Sequence, residues 1–329
     1  MPKISIITPS YNQAIYLEQT IRSVLAQGVP DLEYLVVDGG SRDGSRAIIE
    51  RYADQLAWWV SEPDQGQAEA INKGFARANG EYIAWLNSDD LYAPGALQSA
   101  IATLDANPEL GLVFGDAITF DAHGAPIREL RFADWGLPEL VAFNIICQPA
   151  VIMRRSALEQ AGYLDLDYHF LLDHHLWLRI ARRFPIQHVQ EVWAFARYHS
   201  QAKNFAQAAG FGQEALRILA WMETQPDLSQ AVQQDRRRVY AMAARFNGRY
   251  LLDGGQPWAA LRAYLSALFR HPATALVEWH RILFALLSGV GLRRLGQVYY
   301  RLRSQAAPVS LSAWGIETVD ELYRSEGTN

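Results

Sequence analysis

The chain has 329 residues, half of them hydrophobic, with 30 Lys and Arg against 35 Asp and Glu and a formal net charge of −5. That is ample for a core and more than one average domain, and it carries no global basic signal for nucleic acid. A single cysteine, Cys147, excludes an internal disulfide framework and a cysteine-rich zinc site, and fits a reducing cytoplasm.

Ile4 to Thr8 reads as a compact strand stopped by Pro9, and Ser10-Tyr11-Asn12 as a turn. Ile15 to Gln27 has helical spacing and ends at Gly28. Leu32 to Val37 is a second strand, followed by the loop Asp38-Gly39-Gly40-Ser41-Arg42-Asp43-Gly44 and a helix from Ser45 to Ala53. Trp58 to Ser61 is a third strand, Gln67 to Ala78 a helix and Tyr82 to Leu86 a fourth strand. Short strands alternating with helices predict parallel β-α-β units in a doubly wound sheet, where ligands gather at the carboxyl ends of the strands. Pro9-Ser10-Tyr11, Asp38, Glu62-Pro63-Asp64 and Asn87-Ser88-Asp89-Asp90 all fall at that edge.

The last of these tips holds two adjacent carboxylates after an apolar strand. Such a pair is costly unless a cation lies beside it, and oxygen ligands of this kind suit Mg²⁺ or Mn²⁺ shared with a phosphate. Capping of the helix that starts near Gly95 is the other reading of Asp89 or Asp90. The Asp38 loop has neither dinucleotide-fingerprint spacing nor a Walker phosphate loop. A carboxylate there suits a nucleobase N–H or a ribose hydroxyl.

The motifs Ile6-Ile7-Thr8-Pro9-Ser10-Tyr11-Asn12, Val36-Val37-Asp38-Gly39-Gly40-Ser41, Glu62-Pro63-Asp64-Gln65-Gly66-Gln67, Ala70-Ile71-Asn72-Lys73-Gly74 and Leu86-Asn87-Ser88-Asp89-Asp90 occur in one order. This series resembles glycosyltransferase family 2, over roughly the first 200 residues. The resemblance implies an α/β GT-A fold, with a mostly parallel doubly wound sheet and a nucleotide diphosphate sugar as donor. It implies that Thr8, Pro9 and Tyr11 pack around base and ribose, that Asp38 reads the base, and that Asp64, Gln67, Asn72, Asn87 and Ser88 complete the donor site. Asn87-Ser88-Asp89 stands where the family has Asp-x-Asp. Asn87 replaces the first acid, which leaves Asp89 as the implied ligand of Mn²⁺ or Mg²⁺ and Asp90 as a supporting group or a helix cap.

From Leu112 the chain changes character, with strand pieces Leu112–Asp116 and Ala117–Asp121, a hairpin turn at Asp121-Ala122-His123-Gly124, a short helix or loop over 134–143, and a strand over Cys147–Met153. Gln148 suits either a donor or acceptor contact or a buried amide satisfied by backbone. Leu176, Ile180 and Phe184 give the next helix a buried face, with Asp173 at its N-terminal end. By itself Asp173 reads as an N-cap; the resemblance makes it the general base for the acceptor hydroxyl. His174 and His175 read as exposed helix polars, or as groups that tune Asp173 or touch the acceptor. After the strand Val192–Ala196, the resemblance places His199 at the metal or the diphosphate and Lys203 at the diphosphate.

The expected organisation is a catalytic domain over 1–204, a helical extension over 205–305 and a tail over 306–329. Helices are expected at Phe211–Met222, Leu228–Leu251, Pro257–Phe269 and Ala273–Leu287, including one tetratricopeptide-like helix pair. The segment 269–303 mixes aromatics with arginines, which suits either an anionic membrane surface or ordinary helix packing. The tail has Trp314 and Tyr323 as its large apolar residues. The resemblance thus implies inverting, metal-dependent transfer of a hexosyl or N-acetylhexosaminyl group, UDP-sugars favoured, to a saccharide, lipid-linked saccharide or protein acceptor in envelope polysaccharide or glycoconjugate synthesis. A catalytically silent nucleotide-sugar-binding or scaffold protein of the same fold is the alternative. No nucleic acid partner is expected.

Overall fold

The computed structural model describes residues 1–199, 207–292, 309, 311–312 and 315–323. Residues Met1–Gly136, Ile146–Tyr198 and Val309–Asn329 form one compact unit; Leu137–Ile145 and His199–Pro308 form a second.

The first unit is built on a sheet with strand order β3-β2-β1-β4-β8-β6-β9-β5, β7 pairing with β6. Its strands are β1 Ile4–Ser10, β2 Leu32–Asp38, β3 Trp58–Ser61, β4 Tyr82–Trp85, β5 Leu91–Tyr92, β6 Leu112–Asp121, β7 Pro126–Leu130, β8 Val151–Arg154 and β9 Ile186–Tyr198. Pairs β3-β2, β2-β1 and β1-β4 are parallel. Beyond β4 the sheet is mixed, because β8 runs antiparallel to both neighbours while β6 and β9 run parallel. Every residue of β1 is buried, as expected of a strand covered on both faces. It runs through Pro9, which removes one ladder donor without leaving the extended region. β6 is one strand of 10 residues, with its register against β9 shifting around Asp116.

Helices α1 Ala14–Leu25, α2 Ser45–Arg51, α3 Gln67–Arg77 and α4 Ala96–Ala106 follow the parallel strands as predicted. α1 turns Leu17, Ile21 and Val24 into a core shared with Ile4, Ile6, Val36 and Ala84. α4 begins after Gly95, at φ 82°, with no side-chain cap, so neither Asp89 nor Asp90 caps it. Helix α5, Leu137–Val141, belongs to the second unit, and α6 Arg155–Ala161 and α7 Leu172–Ala181 belong to the first. The expected strand over Cys147–Met153 begins later, since Gln148–Ala150 is a 3-10 turn. Described residues of the C-terminal segment return to the first unit, where Leu311, Val319 and Tyr323 join Leu91, Ile118, Phe120 and Phe195 in a buried cluster.

The second unit is helical: Ala208–Thr224, Pro226–Gln234, Arg236–Asp253, Pro257–Arg270, Pro272–Leu276 and Trp279–Gly289. The helix expected over 228–251 breaks at Asp235, whose φ of −136° lies outside the helical region. The one expected over 273–287 breaks between Leu276 and Trp279. Helices Arg236–Asp253 and Pro257–Arg270 pack as a hairpin. A Cβ added at Gly248 would lie 3.2 Å from the Tyr264 ring, which explains the small residue at that crossing.

Candidate active site

Register brings the polar tips together. Ser10 pairs with Asp38 and Asp38 with Ser61, so the three stand in one row at the carboxyl edge. The Asp38 carboxylate is fully buried. It accepts from the backbone N–H of Gly40 at 3.2 Å and of Ser41 at 2.9 Å, and from the hydroxyls of Ser41 at 2.5 Å and Ser61 at 2.6 Å. Four donors on one carboxylate shape the Gly39-Gly40-Ser41 turn. Asp64 lies against that turn: a Cβ on Gly39 would sit 2.6 Å from its Oδ2. Burial is the main cause that raises the Asp64 carboxyl, and the nearby Glu69 and Asp38 charges add to it.

Other predicted donor residues fall in different places. Thr8 is fully buried, its hydroxyl 3.0 Å from that of Tyr34, so it supports the strand from within the sheet. Pro9 is buried beside it, and Tyr11 is exposed at the rim. The Ser10 hydroxyl is buried and makes no hydrogen bond among the described residues. Asn72 serves a different contact. Its amide donates to the Leu164 carbonyl at 2.8 Å and accepts from the Leu164 N–H at 3.0 Å. That pairing ties α3 to the loop before α7.

The acidic tip follows β4. Gln67 Nε2 donates to Asn87 Oδ1 at 2.7 Å. Asn87 Nδ2 in turn donates to Asp90 Oδ2 at 3.2 Å and to Gln148 Oε1 at 3.1 Å. Gln148 Nε2 donates to the Trp85 carbonyl at 2.8 Å, the backbone-satisfied amide of the second reading, and joins the tip to the backbone of β4. Ser88 and Asp90 are buried, and Asp89 is half-buried between them. Burial first, and then the neighbouring Asp89 charge, pushes the Asp90 carboxyl up to about 8. Its Oδ1 accepts from the Arg197 N–H at 3.0 Å, and the Arg197 Nε donates to the Asp89 carbonyl at 3.0 Å. Sequence reasoning gave Arg197 no role; a lone arginine at a strand end carries no local signal of what it will hold.

Asp173 lies in the first turn of α7, one residue inside the helix, and does not serve as its N-cap. Trp177, one turn on and on the same helix face, stacks on Trp85 at 5.3 Å between ring centroids. That stack seats the start of α7 beside the end of β4. The half-buried Cys147 thiol is pushed up, by desolvation first and then by the Asp90 and Asp173 charges. His174 and His175 are buried rather than exposed, at 0% and 3%. The helix packs on more than one face, and the His175 ring lies 4.2 Å from that of Tyr168. His199 is buried in the second unit, and Lys203 lies outside the described residues.

The model of the family described as Glycosyl transferase family 2 matches residues 5–160. An uncharacterized glycosyltransferase of Nostoc sp. (strain PCC 7120) is 30% identical over 234 residues, 67% of this chain and 72% of the relative. The chain belongs to glycosyltransferase family 2. TuaG of Bacillus subtilis, named for a glycosyltransferase of teichuronic acid biosynthesis, is 40% identical over 103 residues, 30% of this chain and 41% of its own. This family 2 chain spans about a third of two longer relatives, from Rickettsia conorii (34%) and Rickettsia felis (35%). Among solved structures, S. aureus TarS residues 1–349 in complex with UDP-GlcNAc matches with a TM-score of 0.58 at 18% identity, over 91% of this chain and 92% of that one. The mannosyltransferase PcManGT of Pyrobaculum calidifontis, in complex with GDP-Man and Mn²⁺, matches with a TM-score of 0.59 at 21% identity, over 89% and 87%. These likenesses establish the GT-A fold.

Proposed function

We propose that this family 2 chain transfers a hexosyl or N-acetylhexosaminyl group, with inversion, from a nucleoside diphosphate sugar to an acceptor hydroxyl, in envelope polysaccharide or glycoconjugate synthesis. The observation that carries the reading is the placement of Asp89 at the end of β4 and Asp173 at the start of α7, joined by the Trp85–Trp177 stack. Asp173 accepts the acceptor's proton while the acceptor oxygen bonds to the anomeric carbon. The bond from that carbon to the diphosphate oxygen breaks, and the nucleoside diphosphate leaves with the electron pair. One displacement with one base inverts the centre. UDP is the favoured nucleotide by family resemblance and by the UDP-GlcNAc complex of the TarS neighbour.

The tip fits a divalent ion. A Mg²⁺-type site uses one or two carboxylates plus substrate phosphates. Asp89 supplies such a carboxylate, and a dipositive charge there would offset the Asp89 repulsion that adds to burial in raising Asp90. Mn²⁺ or Mg²⁺ held there supplies charge for the departing diphosphate. His199 and Lys203 join this reading through the resemblance.

We also place a peripheral contact with an anionic membrane surface on the helical unit. Leu283, Leu286 and Val290 recur at helical spacing and are exposed, as are Phe269 and Leu292. Between Gly254 and Pro308 the one acid is Glu278, against seven arginines. No helix among the described residues is long and apolar enough to cross a membrane.

Calorimetric titration of UDP, GDP and dTDP, with and without Mn²⁺, tests the donor site. Metal-dependent binding of one nucleotide, lost in Asp89→Ala, is expected. A folded protein that binds none of them with metal present refutes the reading and leaves a silent scaffold of the same fold.

A further inference from the structure

We propose that the C-terminal segment 315–323 braces the acidic tip: Asp320, acting through Arg197, sets where the Asp89 carboxylate stands. The proposal rests on the reading of Asp89 as the cation ligand. Asp320 and Arg197 are positioning residues, and neither is assigned contact with substrate.

Arg197 is the link. Its side chain is 1% exposed, and a guanidinium so placed needs its charge compensated and its donors filled. Nε holds the Asp89 carbonyl at 3.0 Å, and the backbone N–H holds Asp90 Oδ1 at 3.0 Å. Nη2 donates to Gln19 Oε1 at 2.6 Å, and Nη1 lies 3.4 Å from Asp320 Oδ1. Gln19 Nε2 closes the ring by donating to the same Asp320 oxygen at 3.0 Å. The guanidinium carbon sits 4.5 Å from the Tyr16 ring centroid and 4.3 Å from that of Phe120, so the plane is held on its faces as well as its edges. Among the described residues, Asp320 is the side-chain ion partner of Arg197.

The segment that carries Asp320 is anchored independently of that carboxylate. Val319 N–H donates to the Gly124 carbonyl at 2.9 Å. The Tyr323 hydroxyl donates to the Tyr92 carbonyl at 2.8 Å, two residues beyond Asp90. Val319 and Tyr323 are also buried against Leu91 and Phe120. The tail thus grips the chain just after the tip through Tyr323, and the tip itself through Asp320 and Arg197. A shift of Asp320 passes to the Asp89 backbone through two contacts. Removing an outer partner of a metal ligand usually weakens the metal by roughly 10- to 100-fold.

The experiment uses the full chain carrying Asp320→Ala and, as a gentler change, Asp320→Asn and Asp320→Glu. Two quantities are read: amide hydrogen exchange over residues 88–92 without metal, and Mn²⁺ affinity in the presence of UDP by electron paramagnetic resonance. The expected result is faster exchange at 88–92 in Asp320→Ala, with exchange in the strands β1 and β2 unchanged. Mn²⁺ affinity falls roughly 10- to 100-fold and recovers in part in Asp320→Glu. Native exchange over 88–92 in both Asp320→Ala and Asp320→Asn overturns the brace. So does faster exchange everywhere, which would mark a general loss of stability. Asp89→Ala, run in parallel, separates the two readings. If it leaves Mn²⁺ binding intact, the cation assignment fails and Asp320 no longer bears on it. If it abolishes Mn²⁺ binding while Asp320→Ala keeps native affinity, the brace alone fails.

Discussion

The Asn87 amide donates to the buried Asp90 carboxylate at 3.2 Å while its own oxygen accepts from Gln67 at 2.7 Å. The departure from the family's Asp-x-Asp pattern therefore has a local reason. An amide at position 87 both donates and accepts, and a carboxylate only accepts. Asn87→Asp would remove the amide donor to Asp90 and crowd a third carboxyl into a tip where Asp90 is already raised by burial and by Asp89. The variant is expected to lose about 1–3 kcal/mol of stability in urea unfolding without metal, the usual cost of an unmet buried polar group. Added Mn²⁺ should recover part of it.

Asp173→Asn removes the proposed base and keeps the shape of the α7 terminus. Turnover should fall by roughly 10²- to 10⁴-fold, while UDP affinity measured by calorimetry stays native. Loss of nucleotide affinity instead would make Asp173 a donor-site residue.

Gly39→Ala would push a methyl group to 2.6 Å from Asp64 Oδ2. Either the Asp64 carboxylate or the turn held by Asp38 must move. A loss of about 1–3 kcal/mol is expected, typical of overpacking, together with weaker nucleotide binding. Thermal unfolding and calorimetry read the two effects separately. Unchanged values in both would remove Asp64 from the site.

Glu278 gives the helical unit a pH dependence. Burial raises its carboxyl, but Arg249 and then Arg245 and Arg281 outweigh burial and hold it below its ordinary 4.5. The Tyr264 hydroxyl donates to it at 2.9 Å. Because the folded value lies below the unfolded one, the unfolded chain binds the proton more readily in this range. The contribution is full above about pH 4.5 and is lost as pH falls through the folded value. Glu278→Gln should cost about 1–3 kcal/mol at pH 7, since it removes the buried carboxylate shared by the partly exposed Arg245 and Arg249, and should flatten the acid limb of the melting curve. An acid limb identical to that of the native protein would count against the assignment.

Leu286→Glu and Val290→Glu test the membrane-surface reading. Both side chains are exposed, at 44% and 55%, so folding should be little affected. Flotation with vesicles rich in anionic phospholipid should capture the native chain and lose most of the double variant. Equal flotation of both, or of neither, would return this face to another use.

Much of this architecture is written in neighbouring residues. The five-residue apolar runs, the helices between them and the polar tips at Asp38, Asp64, Asn87 and Asp89 are local patterns, and four strands and four helices stand close to where those patterns put them. The order of the motifs carries the family. Pairings across the fold carry no such local signature. Nothing around Asn72 announces that its amide will close on Leu164, 92 residues away. Nothing in Asp38 says that three loop donors and the Ser61 hydroxyl of β3 will claim its carboxylate, or in His174 and His175 that α7 will be buried on more than one face. The contact of Arg197 with Gln19 spans 178 residues, and that with Asp320 spans 123. Periodicity reports which face of an element is apolar, because solvent acts on each residue where it stands. Which groups meet depends on how the elements pack, and only the folded chain brings Gln19, Arg197 and Asp320 to one place behind Asp89.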